Sequence, residues 1–339
     1  MYFPYLHGMQ KEILALRQLG PTLAREGQVQ PVIEPVRHVL ASLRQTLQTC
    51  ESAGLPTWLV VNPMSQDFDD VAPSVALDWG RHLLASLGPR RALRPTLLLH
   101  RRMTPELVRL FAQSFAGQAV GVVIVPGALP IEPMLELLRA AQLERVFFKN
   151  EPPSHATLGM IGPARCIWVE NRPVSMPTEL RRGSTDPRVG RQFFSDSLAH
   201  FLTAGGPGFS DHTSLPSRPS ASGPSGADHF HLSYCQRHGA EAGTMRIEYF
   251  LADRTNDPPA EGEQEPVEAE PRFFGALRKL RLAVEREDDC FGPTLGLQRF
   301  LACRCEPPAP SPALMRQWQL MHHLELVSGV LSGRYPLRG

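Results

Sequence analysis

The residues best able to do chemistry sit where short apolar runs end. Val32-Ile-Glu-Pro-Val36 carries Glu34, and the runs at 57–61, 95–99, 145–148 and 165–169 close on Asn62, on His100 and Arg101, on Lys149 and Asn150, and on Glu170 and Asn171. His7 follows a first run at 2–6. If these runs are parallel barrel strands, their last residues converge on one mouth, where that architecture builds its sites. Glu34 and Glu170 are then a carboxylate pair that could share a divalent metal or raise one another's pKa for general acid work. The alternative is that each pairs with a rim cation such as Arg101 or Arg172. His100 beside Arg101 sets an imidazole next to a guanidinium, a combination suited to an anionic substrate group.

Other groups lie further along. Arg181, Arg182, Arg188 and Arg191 add positive charge after the 165–169 run, close to where barrels often bind phosphate. His229 and His231 share one face of a strand at period two, and His322 and Glu325 are three apart on a helix. No His-Glu-x-x-His motif accompanies them, so no metal set is complete. Asp211 could orient His231 or His212 as a carboxylate fixes an imidazole tautomer, or cap its own loop by bonding the backbone two residues on.

The elements that must position these groups alternate. Strand-like runs start at residues 2, 29, 57, 96, 120, 145 and 166, and helical intervals of apolar residues fill most of the gaps. The run at 57–61 is apolar on both faces, as in a parallel strand covered by helices. Thr104-Pro105-Glu106 is an N-cap, a proline at the first helical position and an acidic first turn, and predicts a helix to about residue 115. Gly20-Pro21 predicts the end of the first helix. No Gly-x-Gly-x-x-Gly follows the first strand, so an open dinucleotide-binding sheet has no support. With 230–234 as an eighth strand, the count predicts a (β/α)8 TIM-barrel-like single domain over residues 1–339. Flexible loops are expected at 213–228 and 255–271, a hairpin between 230–234 and 246–251, and C-terminal helices at 272–335 packed on the barrel.

Bulk properties narrow the classes. Of 339 residues 42% are apolar and 20% charged, and 35 Lys plus Arg against 34 Asp plus Glu leave a net charge of +1, so nucleic acid is not indicated by charge. The longest apolar stretch is far below the roughly 20 residues a bilayer span needs, and with no leader pattern the expected location is the cytoplasm. The six cysteines show no zinc spacing and read as reduced thiols.

Tyr2-x-Pro4-x-Leu6-x-Gly8-x-Gln10-x-Glu12, Pro31-x-Ile33-Glu34-Pro35, Gly208-Phe-Ser-Asp211, His231-Leu-Ser-Tyr234 and Met321-His-His-Leu-Glu325 together resemble the Beta-protein family of bacteria and satellite phages. Some members belong to anti-phage defence cassettes. The resemblance covers nearly the whole chain, in order. It implies a barrel-like fold, a role in anti-phage defence or a toxin-linked operon, and a protein partner encoded by a neighbouring gene, such as a nuclease-type effector. By position it adds Gln10, Tyr234, His322 and His323 to the ligand-binding candidates His7, Asn62, Arg101, Lys149 and Asn171. It also adds Asp211 and His231 to the catalytic candidates Glu34, His100 and Glu170. His7-Gly8-Met9 and Lys149-Asn150 depart from the family pattern and change the charges at the rim. The function expected is ligand binding at the mouth, of a phosphorylated or nucleotide ligand, in concert with that partner; the alternative is a metal-dependent phosphodiesterase-type hydrolase using Glu34 and Glu170.

Overall fold

A computed structural model describes residues 1–38, 41–128, 130–172, 174–181, 190–214, 229–252, 272–286, 290–304 and 308–337. Most of the loops expected at 213–228 and 255–271, with Arg182 and Arg188, lie outside these residues. Where one domain is expected, the chain packs as two compact units, Met1–Pro173 with His200–Pro219, and Val174–Ala199 with Ser220–Gly339.

The first unit is the barrel. Strands β1 (Tyr5–Leu6), β2 (Val32–Ile33), β3 (Thr57–Val60), β4 (Leu93–Leu99), β5 (Ala119–Ile124), β6 (Gln142–Lys149) and β7 (Cys166–Glu170) alternate with helices α1 (Gln10–Glu26), α2 (Ala41–Ala53), α3 (Pro73–Ala85), α4 (Pro105–Ser114), α5 (Ile131–Leu137) and α6 (His155–Ile161). Next in the chain come α7 (Thr178–Arg181), β8 (Arg191–Ser195), α8 (Ser197–Ala204) and β9 (Ser210–Asp211). Eight strands are joined in the order β1 to β7 and then β9, every pair parallel.

The sheet then returns on itself. Tyr2 bridges Phe209 in parallel, and the Phe3 amide donates to the Phe209 carbonyl at 2.9 Å. The eighth strand is therefore β9, not residues 230–234. Gly208 permits this approach, because at φ 142° it adopts a conformation side chains avoid and an added Cβ would collide with the Met1 carbonyl and the Phe3 ring. Phe3, Tyr5, Trp58, Leu98, Phe147 and Val169 fill the lumen as a packed core.

Local signals behave as expected at α4, where the Thr104 hydroxyl accepts from the Leu107 amide and Pro105 opens the helix. They fail at α1, which continues through Pro21 to Glu26 because Leu19 and Leu23 are both buried. Gly27 ends it instead, in the left-handed region at φ 68°, with its amide on the Leu23 carbonyl.

In the second unit, β10 (His229–Cys235) and β11 (Met245–Leu251) form the expected antiparallel hairpin, and β8 joins β11 on the other side. Helices α9 (Arg272–Val284), α10 (Leu295–Leu301) and α11 (Pro312–Leu331) pack with this sheet around Phe230, whose ring stacks on Phe300 at 4.6 Å. Among the described residues no helix is long and apolar enough to cross a membrane.

Leu98 is 1% exposed inside the lumen. Leu98→Ala should cost about 2–5 kcal/mol in a urea melt, and Leu98→Asp should yield no cooperatively folded barrel. A Leu98→Asp protein that melts like the parent would refute the lumen assignment.

Candidate functional site

Alternation along each strand decides which terminal residues enter the mouth. Tyr5, Val32, Val60, Leu98, Phe147 and Val169 face the lumen, so His7, Glu34, Asn62, His100 and Lys149, two positions on, face it too. On β9 the same rule turns Ser210 and His212 inward and Asp211 outward.

Glu34 is the centre of this ring and is 1% exposed. Its Oε2 accepts from the Tyr5 hydroxyl at 2.6 Å and the Lys149 ammonium at 2.9 Å, and its Oε1 accepts from Ser65 at 2.8 Å. Burial alone would raise its pKa. The charges of Lys149 and His7 and the bonds from Tyr5 and Lys149 outweigh burial and hold the carboxyl well below the ordinary range. The Lys149 ammonium also lies 4.4 Å from the centre of the Tyr5 ring, and its side chain keeps 13% of its surface open. Tyr5, pushed well above its usual pKa by burial and by Glu34, remains a hydrogen-bond donor.

Two imidazoles stand beside this pair. His7 and His212 stack at 5.4 Å with planes 9° apart, and Tyr5 meets His212 edge-on at 5.2 Å. His212 is 3% exposed, yet neither ring nitrogen has a hydrogen-bond partner, nor does the buried Thr213 hydroxyl. Burial first, then Lys149 and His7, push the His212 pKa down to about 2 against the opposing pull of Glu34, so the ring is neutral at pH 7. His100 is lowered likewise by burial and Arg102, against Glu34, and its Nδ1 accepts the Arg102 amide at 3.3 Å.

Each of His7, Lys149 and His212 is followed by a residue in the left-handed region: Gly8 at φ 61°, Asn150 at 70° and Thr213 at 59°. For β-branched Thr213 this is a strained conformation, of a kind that clusters at functional sites.

The other candidates take no part in this cluster. Asn62 is committed to the backbone of Leu98, donating to its carbonyl at 2.8 Å and accepting from its amide at 2.7 Å. Arg101 and Asn171 are exposed, and Gln10 lines a groove with Gly8, Pro35, Val36 and Arg37. Glu170 follows lumen-facing Val169 and so turns outward, where Arg172 lies at 3.4 Å; it does not pair with Glu34, and the salt-bridge reading is the one observed. Asp211 caps its own loop, its Oδ1 accepting the Thr213 amide at 2.8 Å and the Tyr2 hydroxyl at 2.7 Å. Among the described residues no group of three or more His, Cys, Asp or Glu could hold a metal ion.

His231, Tyr234, His322 and His323 belong to the second unit, where they contact the backbone and side chains of that unit. β10 is an edge strand, and three of its outward backbone groups bond to other elements. Gln319 donates to the His231 carbonyl at 2.8 Å, His322 Nε2 bonds the Ser233 carbonyl at 2.6 Å, and the Cys235 amide donates to the Cys290 carbonyl at 3.0 Å. Thr294 Oγ1 accepts from the Leu297 amide and bonds His322 Nδ1 at 2.7 Å, so its hydroxyl proton points at Nδ1 and the ring carries its own on Nε2. His323 Nδ1 bonds Ser233 Oγ at 2.7 Å, and Tyr234 packs against Phe291.

Sequence reasoning undervalued His212, weighing it only as a partner for Asp211, because the eighth strand was sought at 230–234. Ser210 and His212 at period two after Gly208 were the available signal. Tyr5, two positions before His7, was equally readable.

Removing the carboxylate should expose the cost of the ion pair. Glu34→Gln strands the Lys149 charge and should lose about 3–5 kcal/mol in urea unfolding of the barrel. A loss under about 1 kcal/mol would mean the pair is screened like a surface one. The second unit should respond to acid. Burial lowers His322 to about 4, and burial with neighbouring His322 and His231 lowers His323 to about 3. Their unfolded forms protonate near 6.5, so stability should fall from there down to about pH 3, and His322→Gln with His323→Gln should flatten that slope in melts recorded against pH.

No protein-family model matches the chain, and no curated protein matches it. A solved structure from Coccidioides immitis, described as a dihydrodipicolinate synthase family protein, is similar over 62% of this chain at 16% identity with a TM-score of 0.35. The chain spans 65% of that protein's length. At this level the likeness carries nothing about activity, and the barrel rests on the strand pairing itself.

Proposed function

We propose that the barrel mouth binds a small phosphorylated or nucleotide ligand, and that the chain acts with a protein partner in anti-phage defence or a toxin-linked operon. The second part rests on the motif resemblance. The first rests on one observation: His212 is buried between Tyr5 and His7 with two unpartnered ring nitrogens, beside the Lys149 ammonium. A buried polar group without a partner is costly, and a phosphate oxygen would accept from the ring N–H. Lys149 balances the charge of Glu34, whose two oxygens already accept from Tyr5, Lys149 and Ser65. Parallel βα units also aim helix N-termini at the end where the ligand would sit, adding positive potential.

Calorimetry with inorganic phosphate at about pH 7 should detect binding to the parent protein, and Lys149→Met and His212→Ala should each weaken it by about tenfold, near 1.4 kcal/mol. Absence of phosphate binding to the parent protein would overturn the reading.

A further inference from the structure

Next to the His212 imidazole lies a buried carboxylate that the mouth itself does not use. Asp211 is 4% exposed and faces away from the lumen. One of its oxygens holds both the Tyr2 hydroxyl, on the strand across the barrel seam, and the amide of Thr213, on the far side of His212. That second bond closes a turn around His212 and fixes Thr213 at φ 59°. Tyr2 bridges Phe209, so the loops carrying His7 and His212 are neighbours, and the two rings meet face to face.

We infer that Asp211 is a positioning residue that holds the His212 imidazole in its stacked arrangement against His7 at the mouth. It need not touch a ligand: it clamps the turn that carries His212. The ligand half of the test below rests on the phosphate reading; the ring half does not.

The test compares Asp211→Asn, Asp211→Ser, Asp211→Ala and Tyr2→Phe in the full chain. Asparagine keeps an oxygen able to accept both bonds, serine keeps a hydroxyl that can still hold the Thr213 amide, and alanine keeps neither. The imidazole resonances of His212, shifted by the Tyr5 and His7 rings, report its position by NMR. They should stay in place in the asparagine, serine and Tyr2→Phe proteins and move in the alanine protein, whose phosphate affinity should drop by about tenfold. Unmoved resonances in Asp211→Ala would overturn the inference. So would Tyr2→Phe moving them as far as Asp211→Ala, since the seam rather than the turn would then be responsible. If Asp211→Ala does not fold, the serine protein decides alone: parental resonances support the turn, and displaced ones refute it. If the parent binds no phosphate, the function proposal fails while the ring comparison still decides this one.

Discussion

Glu34 and Lys149 are 115 positions apart in the chain and 2.9 Å apart in the barrel. A carboxylate at 1% exposure is tenable only if its charge is met on the spot, and here it is met from another strand, by Lys149 of β6. That meeting requires a rolled sheet and correct register in each intervening strand. Tyr5 and Ser65 complete the shell. The result is an ionised carboxylate that serves as counterion and anchor, which is why its environment holds it charged and does not make it a proton donor.

The same principle, that a buried polar group must be answered locally, accounts for the second unit. α11 carries Gln319, His322, His323 and Glu325 in buried positions, a pattern that suggests chemistry when read along the chain. In space these side chains answer the free edge of β10 and the start of α10, where Glu325 accepts the Leu295 amide at 2.6 Å and meets Arg334 at 3.2 Å. An edge strand left open invites another strand. Histidine suits this task because one neutral ring both donates and accepts, as His322 does between Ser233 and Thr294.

The mouth differs from that network in one respect. In α11 the buried imidazoles bond to protein on the nitrogens described above; at the mouth His212 bonds to none, beside a strained Thr213. Polar groups satisfied by their own fold are scaffolding, whereas the orphaned nitrogens of His212 are the feature on which the proposed ligand site rests.

The repeat of apolar runs and helical intervals was enough to establish a parallel βα architecture, because the hydrophobic period of each element is local. It was also enough to place His7, Glu34, His100 and Lys149 at one mouth, since the ends of parallel strands converge. What the chain could not reveal was which of those ends turn inward, because a single step of register reverses every side chain; so Glu34 and Arg172 both stood as partners for Glu170, and the fold selects Arg172. Nor could it show that two residues, Ser210 and Asp211, close the barrel, since a strand that short has no periodicity and depends on Gly208 meeting the first strand. The histidines of α11 and the helix running through Pro21 were decided in the same way, by what lay across the fold, in contacts that no spacing along the sequence records.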